Sequence, residues 1–145
     1  MEQKTVSKTI EQTVEFSHVC AQELFDTYLD SRKHGAALGA PVTVRPRVGG
    51  EFQAFDGSVT GRIFEIVPGR LIVQSWRGQP WREQDLDSVV ILNFLDTRDG
   101  ARIDLVHANI PDHAYAMINE QAWHERYWYP WKLYLGVPRR SCVRS

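Results

Sequence analysis

Four turn dipeptides, Gly49-Gly50, Asp56-Gly57, Pro68-Gly69 and Asp99-Gly100, divide the middle of this chain into apolar segments no longer than single strands. Glycine supplies the positive φ that tight hairpin turns need, so these are hairpin signals. The segments are expected to form a meander in an antiparallel sheet. Strands are predicted over residues 42–46, 51–56, 58–67, 70–77, 87–96 and 101–109. The longest connection, Gly78 to Asp87, is polar except for Trp81 and Leu86.

The two ends of the chain have other periods. From Thr5 to Phe16 the apolar residues Val6, Ile10, Val14 and Phe16 fall on even positions, as in a half-buried strand. Ser17 is placed to cap a short helix whose face would carry Val19, Leu24, Phe25 and Tyr28. The stretch from Ser31 to Pro41, broken by Gly35 and Gly39, fits a second short helix running into a loop. After Pro111 the apolar spacing over Ala114 to Leu135 is helical, with Pro130 expected to kink it. Strand, short helices, meander and one long helix make an α+β fold in which the helix must cover the apolar face of the sheet.

Alternation assigns the inward faces. Ile72, Gln74 and Trp76 share one, Val90, Leu92 and Phe94 the next, and Ile103, Leu105 and His107 a third, which leaves Val89 and Ile91 pointing outward. On a helical wheel Trp123, Tyr127, Trp131, Tyr134, Met117 and Leu135 form one broad arc with Trp128, and Glu125, Arg126 and Lys132 lie opposite. Glu120 and His124 fall inside the arc at i,i+4 spacing, where they can meet each other and, across the sheet, His107 and Gln74.

Composition excludes several classes. With 43% apolar and 24% charged residues and a net charge of −1, the chain has neither the basic excess of a nucleic-acid binder nor an apolar run of about 18 residues for a membrane span. The polar N-terminus, MEQKTVSKTI, lacks a secretory apolar block, so a cytoplasmic protein is expected, as a monomer or homodimer. Cys20 and Cys142 lack CxxC spacing, and no structural disulfide is predicted. Cys142-Val143-Arg144-Ser145 has the length of a prenylation box, but Arg144 stands where an aliphatic residue belongs. His107, Asp112 and His113 are close in sequence without an HxxxH or HExxH frame, so no metal and no cofactor are expected.

The stretch RVGGEFQAFDGSVTGRIFEIVPGRLIVQSWR, then Trp81, SVVILNF, the strand ending in His107, Ile110-Pro111 and the Trp123 to Tyr127 segment resemble the activator of heat-shock protein 90 ATPase homologue family, within the START-like (SRPBCC) superfamily. The resemblance covers about residues 9–135. It implies a helix-grip fold: a curved, seven-stranded antiparallel sheet around a long C-terminal helix, two short helices after the first strand, and a cavity between sheet and helix. The chain would be one domain, residues 1–135, with a flexible tail, 136–145, and would correspond to the second domain of the two-domain eukaryotic activators.

Three functions follow as expectations. The first is binding of an apolar or aromatic small molecule, lipid- or polyketide-like, with Gln74, Trp76, Leu92, Phe94, Leu105 and His107 contributed by the sheet and Met117, Glu120, Trp123, His124, Tyr127, Trp128 and Trp131 by the helix. The second, implied by the resemblance, is regulation of a molecular chaperone. The third is cyclase-like or hydrolytic chemistry, which needs Glu120, His124 and His107 to converge on a substrate. For each polar candidate there is a plain structural use: an i,i+4 pair at a helix surface, and a hydrogen-bonded interior histidine.

Overall fold

The computed structural model describes residues 7–136. The start of the first strand at Thr5 and Val6, the tail beyond Gly136 and the Cys142 box lie outside the described residues. The chain runs β1 (Ser7–Ser17), α1 (Ala21–Leu29), α2 (Ser31–Leu38), β2 (Thr43–Val44), β3 (Glu51–Ala54), β4 (Val59–Val67), β5 (Leu71–Gly78), β6 (Ser88–Asp96) and β7 (Gly100–Pro111). A 3-10 turn, Asp112–Ala114, then leads to the final helix. All neighbouring strands are antiparallel, in one seven-stranded sheet of order β1-β7-β6-β5-β4-β3-β2. This is the helix-grip architecture.

Two extra residues bend the sheet. On β4 the register slips between Ile63 and Glu65, and on β7 three steps from His107 to Ile110 oppose two on β1, with Asn109 in the left-handed region at φ 63°. The second bulge restores the inward phase, so that His107 and Ile110 are both fully buried. At Gly61 the strands approach so closely that a Cβ would stand 2.1 Å from the Ser75 carbonyl oxygen, which only glycine permits.

The meander has the predicted strands within about two residues, and every residue of the three inward sets is buried. Val89 and Ile91 are half-buried on the outer face. Three local expectations are corrected. Ser17 ends β1 rather than capping a helix: His18 turns the chain at φ 60°, and the Cys20 sulfur accepts from the Glu23 N–H at 3.4 Å. Cys20 is also disulfide-bonded, where spacing predicts no bridge, and Cys142 lies outside the described residues.

The third correction concerns the final helix, which starts at residue 120 rather than at 114. Asn119 holds both sides of this boundary, accepting from the Ala122 N–H at 2.9 Å while donating to the Tyr115 carbonyl at 3.2 Å. The helix then runs as Glu120–Trp123 in α form, His124–Trp128 as a π turn and Tyr129–Leu135 in α form again. Pro130 lacks the N–H that a regular turn would require, and the wider π turn just before it absorbs the mismatch. One consequence is that adjacent residues Tyr127 and Trp128, together with Trp131, all enter the core. Trp128, fully buried, stacks on Trp123 at 5.6 Å, meets Phe16 edge-on and donates to the Gln12 side-chain oxygen at 3.0 Å. Truncating an aromatic in such a position typically costs about 3–5 kcal/mol. Among the described residues, no helix is long and apolar enough to cross a membrane.

Candidate functional site

The paired ends of β4 and β5 and the first turns of the final helix leave a cleft of about 650 Å³ between them. Val59 and Gly78, which pair across the strands, lie at its base with Trp76, and Phe55 closes one end. Trp123 and Tyr127 form the helix wall, with Ala122 and Arg126 along the flank. Ala114, Met117 and Ile118 make the lip, and Trp81 reaches in from the long loop.

Backbone economy places Trp81. Its indole lies against Gly78, so that a Cβ at that position would stand 2.6 Å from the ring nitrogen. Arg77, alternating to the other side of β5, holds the loop by donating to the Arg82 carbonyl, to the Asp85 carbonyl at 2.8 Å and to the Asp87 carboxylate at 3.0 Å. His113 Nε2 bonds the Asp85 carboxylate at 2.7 Å, tying the loop to the turn before the helix. Burial alone would raise the Asp85 pKa, but the Arg82 N–H and the nearby His113 together hold it below its usual value.

Beneath the cleft two chains of hydrogen bonds pair most of the polar groups, while the buried indole N–H groups of Trp76 and Trp131 have no partner among the described residues. The Trp123 indole N–H donates to His107 Nδ1 at 3.1 Å, which leaves the His107 proton on Nε2 to donate to Ser88 Oγ at 2.7 Å, and Ser88 donates to the Trp76 carbonyl at 3.0 Å. A second chain starts from Tyr127, whose hydroxyl donates to His34 Nε2 at 2.7 Å, while His34 Nδ1 donates to the Tyr28 carbonyl at 2.7 Å. The Tyr28 hydroxyl donates to Gln74, which donates onward to the Ser75 carbonyl at 3.1 Å. Burial pushes His107 down to about 3 and His34 down to about 4, the latter against the opposing pull of its bond to the Tyr28 carbonyl. Tyr127 is pushed well up by burial and by the neighbouring Tyr28 phenol. Neither histidine is poised to exchange a proton near neutral pH, which a general base there requires.

The residues singled out from sequence divide three ways. Trp76, Met117, Trp123 and Tyr127 line the cleft, Met117 as an exposed lip residue ahead of the helix rather than as part of its buried arc. Gln74, Leu92, Phe94, Leu105, His107, Trp128 and Trp131 are buried in the core and do not line it. Glu120 and His124 are exposed and do not meet each other. Glu120 accepts from the Tyr115 hydroxyl at 2.8 Å, and His124 borders a separate depression with Gln12, Glu15 and Lys132. The helical wheel therefore has its flanks reversed. The cleft runs along the Ala122 and Arg126 side of the Trp123–Tyr127 ridge, and Glu120 and His124 occupy the other.

Arg126, assigned to the outer face by the wheel, borders the cleft. His34 and Tyr127 form a buried polar pair that no local pattern of the sequence marks. The spacing of His34 with Ala37 and Leu38 marks it as an inward residue of α2, but its partner lies 93 residues away. Among the described residues, no group of three His, Cys, Asp or Glu side chains could hold a metal ion.

A family model described as Activator of Hsp90 ATPase homolog 1-like protein matches residues 18–129. The human activator of 90 kDa heat shock protein ATPase homolog 1 is 29% identical over 90 residues, which is 62% of this chain but 26% of that protein. The chain thus spans about a quarter of the length of this curated relative. A solved structure described as an HSP90 activator from Plasmodium falciparum superposes with a TM-score of 0.75 at 27% identity, covering 90% of this chain and 97% of the other. A Mesorhizobium loti protein, at 17% identity and a TM-score of 0.76 over 91% of this chain and 99% of that one, shares the fold.

Proposed function

The chain belongs to the Activator of Hsp90 ATPase homolog 1-like family, and within that family we propose that it binds a largely apolar small molecule, lipid- or polyketide-like, in the cleft between β5 and the final helix. The observation that carries this reading is the cleft itself. At about 650 Å³ it falls within the roughly 300–1,000 Å³ of ordinary ligand sites, and its walls are aromatic and aliphatic with few polar groups. Trp128 and Trp131 fill the interior beyond it, so the space is an end of the grip rather than its whole length. Native mass spectrometry and thermal shift against a lipid and polyketide library test the reading. A ligand at about 100 times its Kd adds about 2.7 kcal/mol, a rise of several degrees in melting temperature. If no compound in the library either binds or stabilises, the reading is wrong.

A second reading is supported by the relatives: the chain acts on heat-shock protein 90. In its favour, a protein described as an HSP90 activator matches this chain over almost the whole of both lengths. The reading predicts a measurable complex with the chaperone and an altered ATPase rate. A titration that yields neither removes it. Acid/base catalysis has no comparable support, because His107 and His34 are internally bonded neutral groups and Glu120 and His124 face away from the cleft.

A further inference from the structure

The cleft is chemically lopsided. Among the described residues its lining contains no carboxylate, and the His113 ring is already bonded to the Asp85 side chain. Arg126 brings a fixed positive charge to the lining, and its side chain has no ion pair or hydrogen bond among the described residues. Its helix offers none: the positions three and four residues away are Trp123, Ala122, Tyr129 and Pro130, none of them acidic. A guanidinium at the mouth of an aromatic cleft is a ready anchor for a carboxylate, which it can grip through two parallel hydrogen bonds. Met117, an adaptable thioether 58% exposed at the lip, extends the apolar surface at the mouth.

We propose that the occupant of the cleft is an amphipathic carboxylic acid, held with its carboxylate on Arg126 and its apolar body against Trp76, Trp123 and Tyr127. The inference rests on the ligand-binding reading above and adds the head group. It requires that anionic ligands outrank neutral and cationic ones of equal apolar length, and that the preference reside in one side chain.

Three ten-carbon probes below their micellar concentrations, decanoate, decanol and decylammonium, separate these claims when titrated against the cleft tryptophan fluorescence of the full chain. Decanoate should bind about fivefold or more tighter than decanol at low ionic strength, with the gap narrowing as salt is added, and decylammonium should bind weakest. In Arg126→Gln decanoate should fall to the affinity of decanol, and Arg126→Lys should keep part of the preference. The circular dichroism spectrum should be unchanged in both variants, and decanol affinity should fall much less than decanoate affinity, which shows that the loss belongs to the head group. Equal binding of decanoate and decanol by the wild type, or a preference that survives Arg126→Gln, overturns the head-group assignment while leaving apolar binding in place. Failure of all three probes to bind the wild type overturns the head-group assignment together with the ligand-binding reading.

Discussion

Acidification from about pH 8 to about pH 5 protonates His34 and His107 in the unfolded chain, where both titrate near 6.5, while the folded protein keeps them neutral. In the fold His34 titrates at about 4 and His107 at about 3, because burial penalises the charged imidazolium. Between these values and 6.5 the unfolded state binds more protons, so stability rises with pH and is lost as pH falls below about 6.5. Integrating the difference to pH 5 gives a loss of about 2 kcal/mol for each histidine, about 4 kcal/mol in all. Since pH 5 lies above both folded values, that figure is set by the unfolded side and changes little if either folded value lies lower. Against a total stability of about 5–15 kcal/mol the loss is large. Urea titrations followed by tryptophan fluorescence across this pH range measure it directly. In His107→Gln the pH-dependent part should fall to about half, because one of two titrating groups is gone. A wild-type stability that stays flat down to about pH 5, or a variant that keeps the whole drop, would refute the assignment of neutral, buried imidazoles.

The remaining expectations concern single contacts. Tyr127→Phe should cost about 1–3 kcal/mol in urea unfolding by leaving His34 Nε2 without its donor; a cost under about 0.5 kcal/mol would mean that the bond contributes little. Gly61→Ala sets a methyl group 2.1 Å from a backbone oxygen, so β4 and β5 must part, and the melting temperature should fall by several degrees, corresponding to about 1–3 kcal/mol. An unchanged melting temperature would contradict the close approach of those strands. The pair Glu120→Gln and His124→Ala, both at exposed positions, should move stability by less than about 0.5 kcal/mol and leave binding in the cleft unchanged; lost binding would return these residues to the site.

The strands were legible in the sequence because hairpins are written locally. Asp56-Gly57 and Pro68-Gly69 turn the chain through the conformations of their own residues, and alternation along Ser88–Asp96 assigns each side chain a face without reference to any other element. The aromatic grip of Trp123, Tyr127, Trp128 and Trp131 was legible for a similar reason, since that much apolar surface in one helix has to be buried. What could not be read was phase and partnership. The 3.6-residue wheel assumes an unbroken helix, whereas Asn119 starts it late and the π turn before Pro130 shifts its register, so Arg126 comes to the cleft and Glu120 and His124 to solvent. The neutral states of His34 and His107 likewise depend on Tyr127, Ser88 and Trp123, which are distant in sequence and brought within bonding distance only by closure of the sheet around the helix. Backbone conformation is a property of neighbouring residues, but the protonation, orientation and accessibility of a side chain belong to the space around it, and that space exists only once the tertiary structure has formed.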